Sequence, residues 1–421
     1  MSTDPNRLVP RTVPTSIGAV GPVGPAFEGV RVLELDAGLA GAYCGHLLSL
    51  LGADVVKVES GARPSVARTA GPFVDGRPDA DTGGAHVHLD ARKRSIALNV
   101  TTPSGRALFD RLAGQVDVVV DDGVLGAPPE VRACYDALLA ANRGLVVVAL
   151  SPYGLDGPKA HYRSSELCDL AASGWLTRNS RYPDRAPLMP GSSCAELGLG
   201  TLAALGAVLA LRWRRTSGVG QLVEVPRQEG LLSLLAFPTT LFAWLGVDEV
   251  RIGDRFPFMI VACADGHLGV SILTQRHWEA LCRFMERPDL LERPHLANSS
   301  LRARPEAAEE ITNELRTWFA DKPAMATFEA GQAMRVPISI IPSPAEVLAS
   351  PQYQSRDYWL TCEDPALGPL RLPGPPYRAS EGTFAAYRPA PRVGQHTGEL
   401  LDEWGIPAAD RLALAALGVL A

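Results

Sequence analysis

Glu196 lies just behind a loop of small residues, Pro190-Gly191-Ser192-Ser193-Cys194-Ala195, at the mouth of a long apolar stretch. A carboxylate there has two readings. It can be a first-turn helix charge stabilised by the macrodipole. It can also be a carboxylate that the small-residue loop leaves open to a pocket, able to act as nucleophile or base. A second carboxylate, Glu166, follows the loop Ser151-Pro-Tyr-Gly-Leu-Asp-Gly-Pro158, inside a helix expected over about 164–174. Metal chemistry finds no ligand pattern. The seven Cys include no C-x-x-C, and the eight His form no H-E-x-x-H. An odd Cys count of this kind reads as reduced thiols in a cytoplasm. His86 and His88 are spaced to share a strand face and are expected at the surface.

The elements that must hold these groups follow from periodicity. Residues 29–36, 53–59, 95–100, 116–121 and 145–150 read as strands. Helices are expected over 42–51, 102–113, 129–142, from Glu196 to about Arg215, and 228–245. Thr102-Pro103 supplies an N-cap and a first-turn proline. Strands alternating with helices imply an α/β fold with a mostly parallel, Rossmann-like sheet. The turn Ala37-Gly38-Leu39-Ala40-Gly41 follows the first strand, where doubly wound folds bind ligands. Gly38, Gly41 and Gly45 do not form G-x-G-x-x-G, which argues against a dinucleotide. The pattern changes after Val250. A hairpin across Asp265-Gly266 and helices over 275–285, 305–320 and 324–334 describe a smaller α+β domain. Short strands at 358–363 and 368–372 and a helix at 397–405 follow.

The expected organisation is therefore an arm over 1–27 that is Pro/Gly/Ser-rich and disordered, a large domain from 28–225 and 350–421, a linker helix over 226–249, and a small domain over 250–349. A chain of 421 residues is long enough for two cores. With 46% hydrophobic and 20% charged residues it reads as soluble and globular. A net charge of −6 gives no reason to expect nucleic acid. The longest apolar run, Thr201–Leu211, is too short for a bilayer. The N-terminal stretch lacks a signal-peptide core, so a cytoplasmic location is expected.

Six patterns recur in order over nearly the whole chain. They are Phe27-Glu-Gly-Val-Arg-Val-Leu-Glu-Leu, Leu51-Gly-Ala-Asp-Val-Val-Lys-Val-Glu59, Lys93-Arg-Ser-Ile-Ala-Leu-Asn with Thr102-Pro-Ser-Gly-Arg, Tyr153-Gly-Leu-Asp-Gly-Pro158, Thr216-Ser-Gly-Val-Gly-Gln-Leu-Val-Glu-Val, and Arg392-Val-Gly-Gln-His-Thr-Gly-Glu-Leu-Leu. Together they resemble the class III CoA-transferase (CaiB/BaiF) family, which includes formyl-CoA and carnitine CoA-transferases and α-methylacyl-CoA racemases. The resemblance implies a Rossmann-like large domain, a smaller domain, a C-terminus that returns to the large one, and interlocked homodimers. The family's catalytic Asp falls on Glu196, one methylene longer, ten residues before Gly206-Ala-Val-Leu-Ala-Leu211. A second acidic position falls on Glu166. The racemases' His is Ser165, and a Gln that some transferases carry is Leu39. The family's Ala-Gly-Pro is Ala40-Gly41-Ala42, which puts Ala40 at the cofactor. The glycine-rich lid of the formyl-CoA enzymes is missing around Phe256–Met259.

Coenzyme A brings a 3′-phosphate and a pyrophosphate, which need cations at a rim. Arg68, Arg92, Lys93, Arg94 and Arg163 are the expected set. The chemistry implied is CoA transfer from an acyl-CoA to a carboxylic acid, through a mixed anhydride and an enzyme–CoA thioester on Glu196, with no metal. Two alternatives stay open. One is a non-catalytic CoA-binding subunit paired with an Asp-bearing paralogue. The other is a CoA-thioester isomerase or lyase using Glu196 and Glu166 as bases.

Overall fold

The computed structural model describes residues 24–36, 38–60, 64–179, 185–234, 236–246 and 258–420. Its centre is a six-stranded parallel sheet: β1 (Arg31–Asp36), β2 (Asp54–Glu59), β3 (Arg94–Ala97), β4 (Val118–Asp122), β5 (Val146–Ser151) and β6 (Leu222–Pro226), in the order β3-β2-β1-β4-β5-β6. Runs such as Val118-Val119-Val120 and Val146-Val147-Val148 are buried throughout, because helices cover both faces of a parallel sheet. Side chains alternate between the faces. Leu33, Leu35, Val119 and Val147 build one core, and Val32, Val118, Val120 and Val148 build the other.

The principal helices of this part are α1 (Leu39–Leu50), α2 (Gly84–Leu89), α3 (Pro103–Ala113), α4 (Val131–Ala141), α5 (Glu166–Ala172), α6 (Cys194–Ser217), α7 (Arg227–Ser233) and α8 (Ala236–Leu245). Thr102 caps α3 as expected, accepting from the Gly105 N–H, with Pro103 in the first turn. α3 and α4 pack on the first face, and α1 and α6 on the second. α6 has 24 residues, so it is longer than the apolar run suggested. By length and composition it could cross a bilayer. Here Leu199, Ala203, Ala207, Ala210 and Leu211 line its buried face against the sheet, as in a core helix.

A separate core is built by the antiparallel strands β7 (Phe258–Ala262), β8 (His267–Ser271) and β9 (Ile338–Ile340) with α9 (Gln275–Phe284), α10 (Pro305–Phe319) and α11 (Ala324–Ala333). The hairpin and all three helices match the sequence reading. β9 is three residues long, too short to show a period. The strands β10 (Trp359–Asp364) and β11 (Gly368–Pro373) pair antiparallel. The chain then returns to the large sheet. Leu400 and Leu401 of α12 (Thr397–Glu403), Trp404 and Ile406 after it, and Val419 after α13 (Ala408–Ala416) join the core of the first face.

Two local expectations need correction. His86 lies on α2 rather than on a strand and is fully buried, its Nδ1 2.8 Å from Asp90 Oδ2. The single helix expected over 228–245 is two, α7 and α8. Of the expected arm, residues 1–23 lie outside the described residues. Its last residues are placed: the Phe27 N–H donates to Leu51 O at 2.9 Å, and Pro25 bridges Thr383. Phe256 and Phe258's predecessor Pro257, where the missing lid would fall, also lie outside the described residues.

Candidate active site

The strand order reverses between β1 and β4, and the carboxyl ends of those strands open a crevice. Glu196 enters it from α6. The chain reaches α6 through Ser192 and Ser193, both left-handed at φ 62° and 50°. Non-glycine residues held so cost about 1–3 kcal/mol each, a cost tolerated where a turn must aim a functional group. Glu196 is 8% exposed. Its Oε2 accepts the Ala40 N–H at 2.9 Å, at the N-terminus of α1. Its Oε1 accepts from Arg227 Nη1 in a short ion pair.

Arg227 organises the crevice. It is the first residue of α7, immediately after β6, and is 8% exposed. Its Nη2 donates to Asp122 Oδ1 at 2.7 Å, and Asp169 Oδ2 lies 3.8 Å from Nη1. Asp122, the last residue of β4, also accepts the Gly41 N–H at 3.0 Å. Burial works against the guanidinium charge, but Asp122 and Glu196 outweigh it and raise the Arg227 pKa. Gly38 makes the cluster possible. A Cβ there would lie 2.8 Å from Arg227 Nη2, 2.8 Å from Asp122 Oδ2 and 3.3 Å from Glu196 Oε2. The glycine after β1 therefore makes room for an ionic cluster, not for a pyrophosphate.

Glu166 opens α5 beside this cluster. Burial pushes its carboxyl up and the Glu196 charge adds to the shift, while the N–H groups of Ala195 and Glu196 pull the other way. Asp169, one turn on, is also raised by burial, against its hydrogen bond from Ser164.

The expected cationic rim is largely corrected. Arg68 is fully buried, and its N–H groups are taken up by Glu59 (2.7 and 2.9 Å), Asp81, His86 and the carbonyls of Ala80 and Pro391. Lys93 is buried with its three protons directed to Glu34, Asp90 and Ala42 O, at 2.8, 2.8 and 2.9 Å. Lys57 joins the same network, 3.1 Å from Asp90. Burial opposes the Asp90 charge, yet Lys57 and Lys93 hold its carboxyl well below the usual range. Arg94 spans Asp54, Glu399 and Glu403, fastening α12 to the edge of the sheet. Arg92 donates from Nε to Ala385 O, lies 5.9 Å from the centroid of Tyr387 and is 6% exposed. It lines a groove of 420 Å³ with Arg94, Arg388 and Glu399. Arg68 and Lys93 hold the fold because each faces buried carboxylates that sequence spacing does not show, and Arg94 is tied up by three partly exposed ones. Arg163 differs: it is exposed, in the loop before α5.

The structure thus brings together Glu196, Glu166 and the Ala40 N–H, and it adds Gly38, Asp122, Asp169 and Arg227, which the sequence reading missed. A signal existed. Asp122 ends a strand that opens with three valines and Arg227 follows the last parallel strand, and polar residues at carboxyl ends of parallel strands face the crevice.

Known proteins resemble this chain in sequence and in fold. The profile of CoA-transferase family III matches residues 27–397. The chain is 30% identical over 395 residues to succinyl-CoA:mesaconate CoA-transferase of Haloarcula marismortui, covering 90% of this chain and 97% of that one. It is 29% identical to succinyl-CoA:(R)-benzylsuccinate CoA-transferase subunit BbsE of Thauera aromatica, covering 92% and 96%. A CAIB/BAIF family protein from Brucella suis superimposes with a TM-score of 0.77 at 24% identity, covering 91% of this chain and all of that one, which speaks for the fold. The chain is a member of CoA-transferase family III.

Proposed function

We propose that the protein transfers CoA from an acyl-CoA thioester to a carboxylic acid, with Glu196 carrying first the acyl group and then CoA. One observation carries the reading. Glu196 stands at the sheet's switch point between the N-terminus of α1 and Arg227, where an ionised carboxylate is both stabilised and aimed into the crevice. Glu166, raised by burial beside it, serves as the neighbouring acid or base. Coenzyme A is bound as substrate and product, with Arg163 as its exposed cation and Ala40 at the reacting end. The names of the relatives suggest succinyl-CoA as the first donor to test, with mesaconate and (R)-benzylsuccinate as acceptors.

The test is turnover of pure protein on a panel of acyl-CoAs and acids, followed by mass spectrometry. Hydroxylamine or borohydride added during turnover should mark the peptide containing Glu196. Glu196→Gln should abolish marking and transfer while CoA still binds, and Glu196→Asp should lower the rate if the site is built for the longer side chain. Full activity in Glu196→Ala would remove Glu196 from the mechanism.

A second reading is a CoA-binding subunit that works beside a paralogue. It is favoured by the Arg227 pair, which occupies Glu196, and by the relative named as a subunit. No transfer by the pure chain, restored on adding the partner, would select it. The proposed assembly is an interlocked homodimer in the cytoplasm. In support, Leu205, Leu209 and Trp213 form an exposed apolar stripe on α6 at 53%, 58% and 59% exposure. Light scattering should give about twice the chain mass of 44.8 kDa, and a monomer would refute it.

A further inference from the structure

We infer that Arg227 is a catalytic residue of this reaction, the cation that takes up the negative charge forming on Glu196 each time its carboxyl carbon is attacked. The inference rests on the transfer reading above. The two oxygens of Glu196 have unlike donors. Oε2 accepts a neutral backbone N–H from Ala40 at 2.9 Å, and Oε1 accepts a guanidinium N–H from Arg227. Charge-assisted hydrogen bonds are about twice as strong as neutral ones. Oε2 is therefore the oxygen that can be given up to attack the donor, and Oε1 is the oxygen that stays held.

The balance of the cycle then assigns Arg227 its work. Oε2 attacks the acyl carbon of the donor thioester, the C–S bond breaks, CoA leaves as thiolate and a mixed anhydride remains. The thiolate adds to Cδ of Glu196, and the carbonyl electron pair moves onto Oε1. Collapse expels the donor acid as its carboxylate and leaves CoA as a thioester on Glu196. The acceptor carboxylate adds to the same carbon, again loading Oε1, and thiolate leaves. Thiolate then attacks the acceptor's acyl carbon, which releases the new acyl-CoA and frees Glu196. Both additions at Cδ place charge on the oxygen that faces Arg227 Nη1.

Arg227 is fixed for this role before reaction. Asp122 holds its other nitrogen at 2.7 Å and is itself held by the Gly41 N–H at 3.0 Å. The guanidinium therefore keeps a partner when Glu196 is esterified and neutral. Gly38 leaves the space in which the three groups meet.

The experiment compares the wild type with Arg227→Gln, Arg227→Lys and Arg227→Ala in the full chain, using the acyl-CoA and acid that the panel identifies. Arg227→Gln should lose kcat by about 10²–10³-fold, the loss typical of a deleted oxyanion donor, with little change in KM for the acyl-CoA. With acyl-CoA and no acceptor acid, the borohydride-reducible thioester on Glu196 should form more slowly in Arg227→Gln, because the first addition at Cδ is then the only one read. Millimolar guanidinium should restore part of the Arg227→Ala rate. Wild-type kcat in a folded Arg227→Gln protein, or a rise in kcat, overturns the inference and shows Arg227 to be a lock. If Arg227→Gln does not fold, Arg227→Lys decides: a fall in kcat of about tenfold at constant KM supports the role, and unchanged kcat overturns it. Failure of the transfer reading looks different, because the wild type itself would then neither turn over nor be marked at Glu196.

Discussion

Gly200→Ala tests whether the approach of α6 to α1 sets the geometry of the crevice. Gly200 is one turn beyond Glu196 on α6, on the face that crosses α1. A Cβ there would stand 2.6 Å from the carbonyl oxygen of Ala40 and 2.9 Å from Cβ of Tyr43. Neither atom is the free end of a flexible side chain. Ordinary contact begins near 3.5 Å, so the helices must part by roughly 0.6–0.9 Å. Overpacking against backbone costs up to about 3 kcal/mol, and the helix-propensity gain of Ala over Gly returns about 1, leaving a net loss of about 2 kcal/mol. The effect on chemistry is larger than that loss suggests. Ala40 both meets Gly200 and donates its N–H to Glu196 at 2.9 Å, so the same separation stretches that bond to roughly 3.5–3.8 Å, beyond useful length. A displacement of this order should slow transfer by roughly 10–100-fold. Urea unfolding and single-turnover transfer would be measured on the variant and on Gly198→Ala. In the latter a Cβ meets only the Leu234 side-chain tip at 3.2 Å, so stability and rate should stay near wild type. A Gly200→Ala protein with wild-type stability and rate would refute the claim that this contact positions Glu196.

Asp121, beside the site on β4, is buried and pushed up to about 6, despite hydrogen bonds from Tyr135 Oη at 2.7 Å and the Val124 N–H at 2.8 Å. A raised carboxylate pKa means the native state binds the proton more tightly. Its stabilisation is full below about pH 4 and is lost as pH rises through about 6, by about 3 kcal/mol at most. Asp121→Asn should flatten that part of the stability–pH curve in urea titrations, and an identical slope in both proteins would refute the assignment. Arg163→Glu should weaken CoA binding about tenfold in calorimetry, with a weaker salt dependence. Arg68→Gln should instead destabilise the fold by about 3–5 kcal/mol, because it strands Glu59, while leaving CoA affinity of the folded protein unchanged. The reverse pattern would return Arg68 to the cofactor and remove Arg163.

The sequence by itself determined the alternation of strands and helices, the N-cap at Thr102, the hairpin across Asp265-Gly266 and the position of Glu196 at a helix mouth. Each of these is a local matter. Period, capping and turn chemistry act over a few residues, and the six ordered motifs added the family. Tertiary structure decided what the charges do. The runs holding Arg68, Lys93 and Arg94 look alike in sequence to a phosphate-binding rim. They became structural because Glu59, Glu34, Asp54 and Asp90 meet them inside the sheet edge. The site itself joins Ala40, Asp122, Glu196 and Arg227, with 156 residues separating the Ala40 donor from its acceptor and 105 separating Arg227 from Asp122. No local signal spans such distances. The meeting follows from the parallel sheet, which brings the carboxyl ends of β1, β4 and β6 to one side, and from Gly38, whose missing side chain leaves the volume in which two carboxylates can share one guanidinium.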